Sequence, residues 1–435
     1  MKHRSISTQP AETNAPNHTR RRLLTGLAGS VVIAFDPLAR TWITEAQAAT
    51  SADAVPPLQG QLVMDDASLA ADSTDAGYMV HRRPWAVLRP ASVSDIVAMV
   101  RYCARYGIKV APRGQGHCVF GQALVDAGLI VETATLSNVH SIGPAAADVD
   151  AGLTWKALLP QTVAQNLTPP VLTGFLGLSI AGTLSVGGVS ASSLHGGIQI
   201  NHVKQLEVVT GTGDVVTCSP SANADLFAGV LGGVGQLGII TRATVDLVPA
   251  LPRARSWVLQ YLDPATFFRD FRMLHTRAQF SEVMAFMVPP VSPQIVTQTI
   301  PPELVAALGP LAASASLGMS ALGPFLNAAS ALTASLKGLW IYQINVTQYY
   351  DPSAPPDAAT LLQGTSDVLP LRYEFDQTYL DYMLRIDVLI DLLKNIGLWY
   401  NVPHPWLDTF LPPEATESFV TQTMQNLSFD DVGAG

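Results

Sequence analysis

Arg113-Gly114-Gln115-Gly116-His117-Cys118-Val119-Phe120-Gly121-Gln122 is the segment around which the rest of the chain can be organised. Glycines at 114, 116 and 121 let backbone N–H groups approach a ligand closely and converge on an anion. A histidine in such a loop is commonly only a polar loop residue, so the loop alone leaves the role of His117 open. The residues before it read as a βαβ unit. Ala86 to Arg89 is a short β-rich run ended by Pro90, and Ser92 is an N-cap. Ile96, Met99, Val100 and Cys103 recur at helical spacing, and Gly107 closes the helix. Ile108 to Ala111 is the next strand, expected as a parallel neighbour of the first.

Further along, Leu178-Ser179-Ile180-Ala181-Gly182-Thr183-Leu184-Ser185-Val186-Gly187-Gly188-Val189 is short-side-chained and rich in hydroxyls. Two glycine-rich loops on one domain suggest a large extended cofactor. Its phosphates would lie on backbone amides and its planar ring over small residues. Strands are expected at 128–133 and 148–151 and a helix near 154–166. A hairpin is expected across Lys204–Thr217 around Gly211-Thr212-Gly213-Asp214, a short helix over Asp225–Leu231 and a strand over Leu237–Val248. Gly233-Val234-Gly235-Gln236-Leu237-Gly238 matches the dinucleotide fingerprint as a string. It follows a helix and opens a strand, the reverse of what that motif requires, which excludes a Rossmann reading. No Walker loop, His-Glu-x-x-His or Gly-x-Ser-x-Gly is present.

Composition narrows the class. Of 435 residues, 14% are charged, against roughly a quarter in an average soluble chain, and 48% are hydrophobic, which excludes a disordered chain. The formal charge of -9 argues against a nucleic-acid binder. Cys103, Cys118 and Cys218 build neither a disulfide framework nor a metal site. Pro249 and Pro252 mark a domain boundary near 250. Residues 304–336 carry no charge, but Gly309-Pro310 and Gly323-Pro324 cut them into pieces too short to span a bilayer. Two packed helices or a mobile cap is the expectation there, ahead of membrane contact.

At the N-terminus, Thr19-Arg20-Arg21-Arg22 precedes an apolar run from Leu23 to Phe35, and Ala46-Gln47-Ala48 offers a cleavage site. The pattern resembles a twin-arginine signal, with an ordinary secretory signal as the alternative. Residues 1–48 are therefore read as a leader outside the fold, and the mature chain as periplasmic or secreted. Residues 49–83 read as a polar lead-in.

These segments resemble the flavin-linked oxidases of the vanillyl-alcohol oxidase type, most of all the cytokinin dehydrogenases. The resemblance rests on residues 113–122 and 178–189, Gly196-Gly197-Ile198-Gln199-Ile200, Leu206–Gly211 with Val216–Ser219, and Asp225-Leu226-Phe227 running into Gly232–Arg242. Gly397-Leu398-Trp399 and Val402-Pro403-His404-Pro405-Trp406-Leu407 extend it into the second half, so that it covers about residues 80 to 430. It implies an α+β fold. A PCMH-type FAD-binding domain of two subdomains (84–250) would precede a substrate domain with an antiparallel sheet and helices (251–435). Members of the family continue past this point and return to the FAD domain, so the C-terminal return is expected to be missing here.

The resemblance also implies site residues. His117 would bond covalently to the flavin 8α carbon. Pro112, Arg113, Gly114, Gln115, Gly116, Cys118 and Gln122 would hold the FAD, with Ser179, Ser185, Val189 and Ile240 as further contacts. A single covalent link is implied, since no cysteine lies between 119 and 217. Cys118 replaces the serine that follows the attachment histidine in the family. Where relatives carry Thr-Asp-Tyr-Leu, this chain has Thr173-Gly174-Phe175-Leu176. In cytokinin dehydrogenases that aspartate accepts a proton from the substrate amine, and Gly174 cannot. Asp381, His404 and Asp408 are candidates for the missing base, and Trp406 and Trp399 for an apolar wall. The expected function is oxidation of a small-molecule amine or alcohol by hydride transfer, with oxygen or a quinone-like acceptor downstream. A cytokinin dehydrogenase with a displaced base and a truncated, non-catalytic flavin fold are the alternatives.

Overall fold

The computed structural model describes residues 32–36, 40–44, 53–288, 338, 340–395, 403, 406–428 and 431. β1 (Val32–Asp36), β2 (Thr41–Thr44) and β3 (Asp53–Ala54) form a small antiparallel sheet with β1 in the middle. β1 and β2 lie inside the segment read as a leader outside the fold, yet both are packed into it. Phe35 and Trp42 are buried, with ring centroids 5.0 Å apart. Trp42 stacks on Tyr102 at 5.8 Å, and Phe35 meets Tyr106 at 5.6 Å. The physical reason is that the apolar side chains of this run match an aromatic face on the first subdomain.

That subdomain is built from β4 (Gln61–Val63), α1 (Asp66–Ala71), β5 (Ala86–Arg89), α2 (Val93–Tyr106), β6 (Val110–Arg113) and β7 (Leu129–Glu132). The lead-in is thus not featureless, since it supplies β4 and α1. α2 follows the expected spacing: Ile96, Met99, Val100 and Cys103 are buried, and Gly107 ends it in the left-handed region at φ 63°. The sheet order is β4-β5-β7-β6. β5 and β6 are therefore parallel but not neighbours, because β7 lies between them and pairs in parallel with both. Leu129, Ile130 and Val131 are fully buried, which suits a central strand covered on both faces.

The second subdomain contains β8 (Val139–Ile142), β9 (Ala146–Asp150), α3 (Trp155–Val163), β10 (Leu167–Thr168), α4 (Ile180–Leu184), β11 (Val203–Val209), β12 (Val215–Cys218), α5 (Ala224–Val230), β13 (Ile239–Asp246) and β14 (Val248–Pro249). Its five-stranded antiparallel sheet has the order β12-β11-β13-β9-β8. β11 and β12 are the expected hairpin. The C-terminal half adds β15 (Arg253–Tyr261), α6 (Pro264–Arg277), β16 (Glu282–Val288), β17 (Ile341–Tyr350), β18 (Tyr373–Thr378), α7 (Tyr379–Met383), α8 (Arg385–Asn395) and α9 (Pro413–Asn426). Its antiparallel sheet has the order β16-β17-β15-β18. The charge-free stretch 304–336 lies outside the described residues.

The two halves share a core. Tyr379, Tyr382 and Met383 pack in one apolar cluster with Leu158, Leu206 and Ile240, and the Tyr379 hydroxyl meets Thr168 Oγ1 at 2.9 Å. This mixed α/β architecture of several sheets fits the expected arrangement of a two-subdomain first domain followed by a second domain.

Candidate active site

The 113–122 loop leaves β6 with Gly116 and Gly121 in the left-handed region, at φ 66° and 73°. A Cβ at Gly114 would lie 2.1 Å from Ser179 Oγ, and one at Gly116 would lie 2.5 Å from Arg113 Nη2. At 114 a larger residue would have to displace the Ser179 hydroxyl, and at 116 the positive φ favours glycine as well. Arg113 turns back under the loop. Its Nε pairs with Asp72 Oδ1 at 2.8 Å and its Nη2 donates to Thr74 O at 3.0 Å. Its Nη1 is buried without a hydrogen-bond partner among the described residues.

A strap from the lead-in clasps the loop from outside. Asp75 Oδ2 accepts from Gly121 N at 2.5 Å and its Oδ1 from Gly77 N at 3.1 Å. Ala76 N donates to Gly116 O and Cys118 O, at 3.1 and 2.9 Å. Sequence reasoning missed this strap, and no local signal in Asp72–Gly77 says where the segment will dock. Burial, reinforced by the neighbouring Glu132 carboxylate, pushes Asp72 up to about 7, against the pull of Arg113. Burial also raises the Cys118 thiol, with Asp75 adding to the effect, so Cys118 is a packed neutral side chain and no nucleophile. Gln122 Oε1 accepts from Phe120 N at 3.1 Å and so braces the loop; Gln115 is exposed.

Two other glycine-rich segments close on this loop. Gly232 N donates to Leu184 O at 2.9 Å and Val234 N to Ser185 O at 2.8 Å, which joins the 232–238 turn to the end of α4. A Cβ on Gly235 would lie 3.0 Å from Pro112 Cγ. Val234 adopts φ 54°, a conformation that a β-branched residue holds at a cost of about 1–3 kcal/mol. Ser185 Oγ donates to Ala181 O at 2.7 Å, while Ser179 and Ile240 are buried. Val186, Val189 and Leu237 are 55%, 53% and 55% exposed on these same loops. Close-passing backbone, apolar side chains left uncovered and a buried guanidinium nitrogen without a partner together fit an extended ligand with a flat apolar ring and anionic groups. The segments expected to hold FAD, Pro112 to Gln122 and Ser179 to Val189, lie here, with Gln115 and Val189 exposed and Gln122 engaged within the loop.

Beside His117 lies Phe175, with ring centroids 5.2 Å apart at an interplanar angle of 47°. Gly174 is exposed, and a Cβ there would find nothing within 4 Å among the described residues. Lys394 Nζ stands 5.4 Å from the centroid of the Phe175 ring. Asp387, from α8, accepts from Leu176 N at 2.8 Å and was not anticipated. Of the expected bases, Asp381 and Asp408 are engaged with other partners. Asp381 bonds to Thr378 Oγ1 and helps cap α7, because Thr378 precedes the helix and receives Asp381 N in return. Asp408 accepts from Trp406 Nε1 at 2.9 Å, with both residues exposed and Trp406 at 63%. His404 and Trp399 lie outside the described residues.

Comparison with known proteins agrees with this geometry. Residues 84–219 match the family profile described as FAD binding domain. Residues 319–435 match the one described as cytokinin dehydrogenase 1, FAD and cytokinin binding. An uncharacterized oxidoreductase in the fasciation locus of Rhodococcoides fascians is 31% identical over 370 residues, covering 85% of this chain and 74% of that protein. Cytokinin dehydrogenase 7 of Oryza sativa subsp. japonica is 36% identical over 365 residues, covering 81% and 67%. Cytokinin dehydrogenase 1 of Arabidopsis thaliana is 32% identical over 384 residues, covering 85% and 62%. With three glycine-rich turns converging on one site, and identity of this level across most of its length, the chain belongs to the cytokinin dehydrogenase family of FAD-dependent oxidoreductases.

Proposed function

We propose that this enzyme holds FAD through a covalent bond from His117 and oxidises a small-molecule amine or alcohol other than a cytokinin handled in the family's usual way. FAD supplies the hydride acceptor. The chain's own residues hold it in place: the 113–122 loop by its backbone, Ser179 to Val189 by small side chains, and His117 by its imidazole. The observation that carries the reading is Gly174, a residue with no side chain where the family has a proton-accepting aspartate, with no described residue within 4 Å of a Cβ there. Phe175 beside His117 adds apolar surface to the same site. The test is bleaching of the bound flavin by a panel of amines and alcohols under anaerobic conditions. Bleaching by simple amines or alcohols, with N6-isoprenoid adenines inert, supports the reading.

A second reading, a cytokinin dehydrogenase whose proton acceptor lies elsewhere, is favoured by the match of residues 319–435 to a cytokinin-binding profile. Rapid bleaching by N6-isoprenoid adenines would establish it and overturn the first. Export in the folded state is also proposed, on the strength of Thr19-Arg20-Arg21-Arg22 and the apolar run to Phe35. The reduced enzyme would pass its electrons to oxygen or a quinone-like acceptor. Among the described residues no helix is long and apolar enough to cross a membrane.

A further inference from the structure

We infer that Asp387 is a positioning residue. From α8, in the C-terminal half, it fixes the loop that carries Gly174 and Phe175, and through Phe175 it sets how the His117 ring lies. The inference rests on the reading of His117 as the attachment residue, and extends it to a side chain 270 positions away in sequence.

The Asp387 carboxylate is 1% exposed. One oxygen accepts from Leu176 N at 2.8 Å. The other has no hydrogen-bond partner among the described residues and stands 3.9 Å from Lys156 Nζ. Burial raises its pKa, with the Leu176 N–H and Lys156 opposing. A buried carboxylate with one oxygen short of partners is costly, and a neutral side chain would fill the same space more cheaply.

The rest of the helix repeats the arrangement. Asp387, Asp391 and Lys394 fall at i, i+4 and i+7, on one face of α8. Asp391 Oδ2 accepts from Lys156 Nζ at 2.5 Å, and Lys156 N in turn donates to Leu176 O at 2.8 Å. Lys394 stands over the Phe175 ring. All three side chains thus address residues 173–177 or Lys156, in the first turn of α3, whose backbone N–H bonds to that loop. Thr173 Oγ1, which donates to Phe175 O at 2.9 Å, stiffens it from within. The one aromatic side chain of this loop is the ring that lies 5.2 Å from His117.

The test uses the full chain labelled at histidine ring carbons and nitrogens. The His117 signal, assigned by its loss in His117→Ala, reports the ring current of Phe175. Phe175→Leu defines the position of that signal when the aromatic ring is gone. Asp387→Ala is expected to move it to the same position. It should also slow the gain of acid-stable flavin from added FAD by roughly tenfold or more, the effect of one lost hydrogen bond to a charged group. Asp391→Ala, which leaves the Leu176 bond intact, is expected to leave the signal in place. A wild-type His117 signal in Asp387→Ala overturns the inference, whatever the melting temperature does. If Asp387→Ala does not fold, Asp387→Leu carries the test. It fills the space without offering an acceptor to Leu176 N, so its signal must move to the Phe175→Leu position, and a wild-type position again overturns the inference. Absence of acid-stable flavin in the wild type defeats only the attachment reading; the ring signal still decides the positioning.

Discussion

Gly114→Ala is expected to push the cofactor loop off α4, and trimming Ser179 is expected to let it return. The added methyl would sit 2.1 Å from Ser179 Oγ and 3.2 Å from Ser179 Cβ. The first distance is a collision; the second is tight but tolerable once the hydroxyl is gone. Overpacking of this kind costs about 1–3 kcal/mol, which is roughly a 5- to 150-fold loss in apparent FAD affinity if the loop moves to relieve it. Ser179→Ala alone should cost little, because Ser179 makes no side-chain bond to the helix it precedes. The double variant should recover most of the lost affinity, giving a favourable coupling energy of at least about 1 kcal/mol. The assay is quenching of FAD fluorescence on titration of flavin-free protein, with melting temperatures measured in parallel. Additive losses in the double variant would show that the 113–122 loop and the 178–189 segment do not meet, and would refute the site as described.

Other outcomes follow from the same geometry. Gly174→Asp enters open space, so it should leave stability unchanged and raise flavin reduction by an amine substrate by about 10²–10⁴-fold, the usual contribution of a positioned base; stopped-flow bleaching reads it, and an unchanged rate would mean the proton leaves by another route. Asp72, raised from 3.8 to about 7 by burial and Glu132, contributes stability that is complete below pH 4 and is lost as pH rises through 7. Between pH 5 and pH 8 the wild type should therefore lose stability relative to Asp72→Asn, as read by denaturant melts at each pH. Removing residues 1–48 takes away buried Phe35 and Trp42 and uncovers Tyr102 and Tyr106, so the melting temperature should fall by several degrees; an unchanged value would mean that β1 and β2 contribute no stability.

What could be read in advance was local. α2 announces itself through Ile96, Met99, Val100 and Cys103 and its closing glycine, all within one helix. The turn at 233–238 could be separated from a dinucleotide motif because its neighbours, α5 and β13, are themselves legible. Strand order is not local. Nothing in Ala86–Arg89 or Val110–Arg113 says that Leu129–Glu132 will slide between them; that outcome depends on which run is apolar enough to be covered on both faces. The clasp from Asp75 to Gly121 spans 46 residues, and the one from Asp387 to Leu176 spans 211. Both join a carboxylate to a backbone N–H, an interaction that leaves no mark on the sequence of either partner. Asp381 shows the converse: its residue type suits a base, but its position three residues after Thr378 makes it part of a helix cap.

The account stands or falls on the bond assigned to His117. Protein saturated with FAD, precipitated in acid and washed, should give a yellow pellet, and His117→Ala treated in the same way should release its colour to the supernatant. Colour leaving the wild-type pellet as completely as it leaves the variant would contradict the attachment on which the proposed chemistry is built.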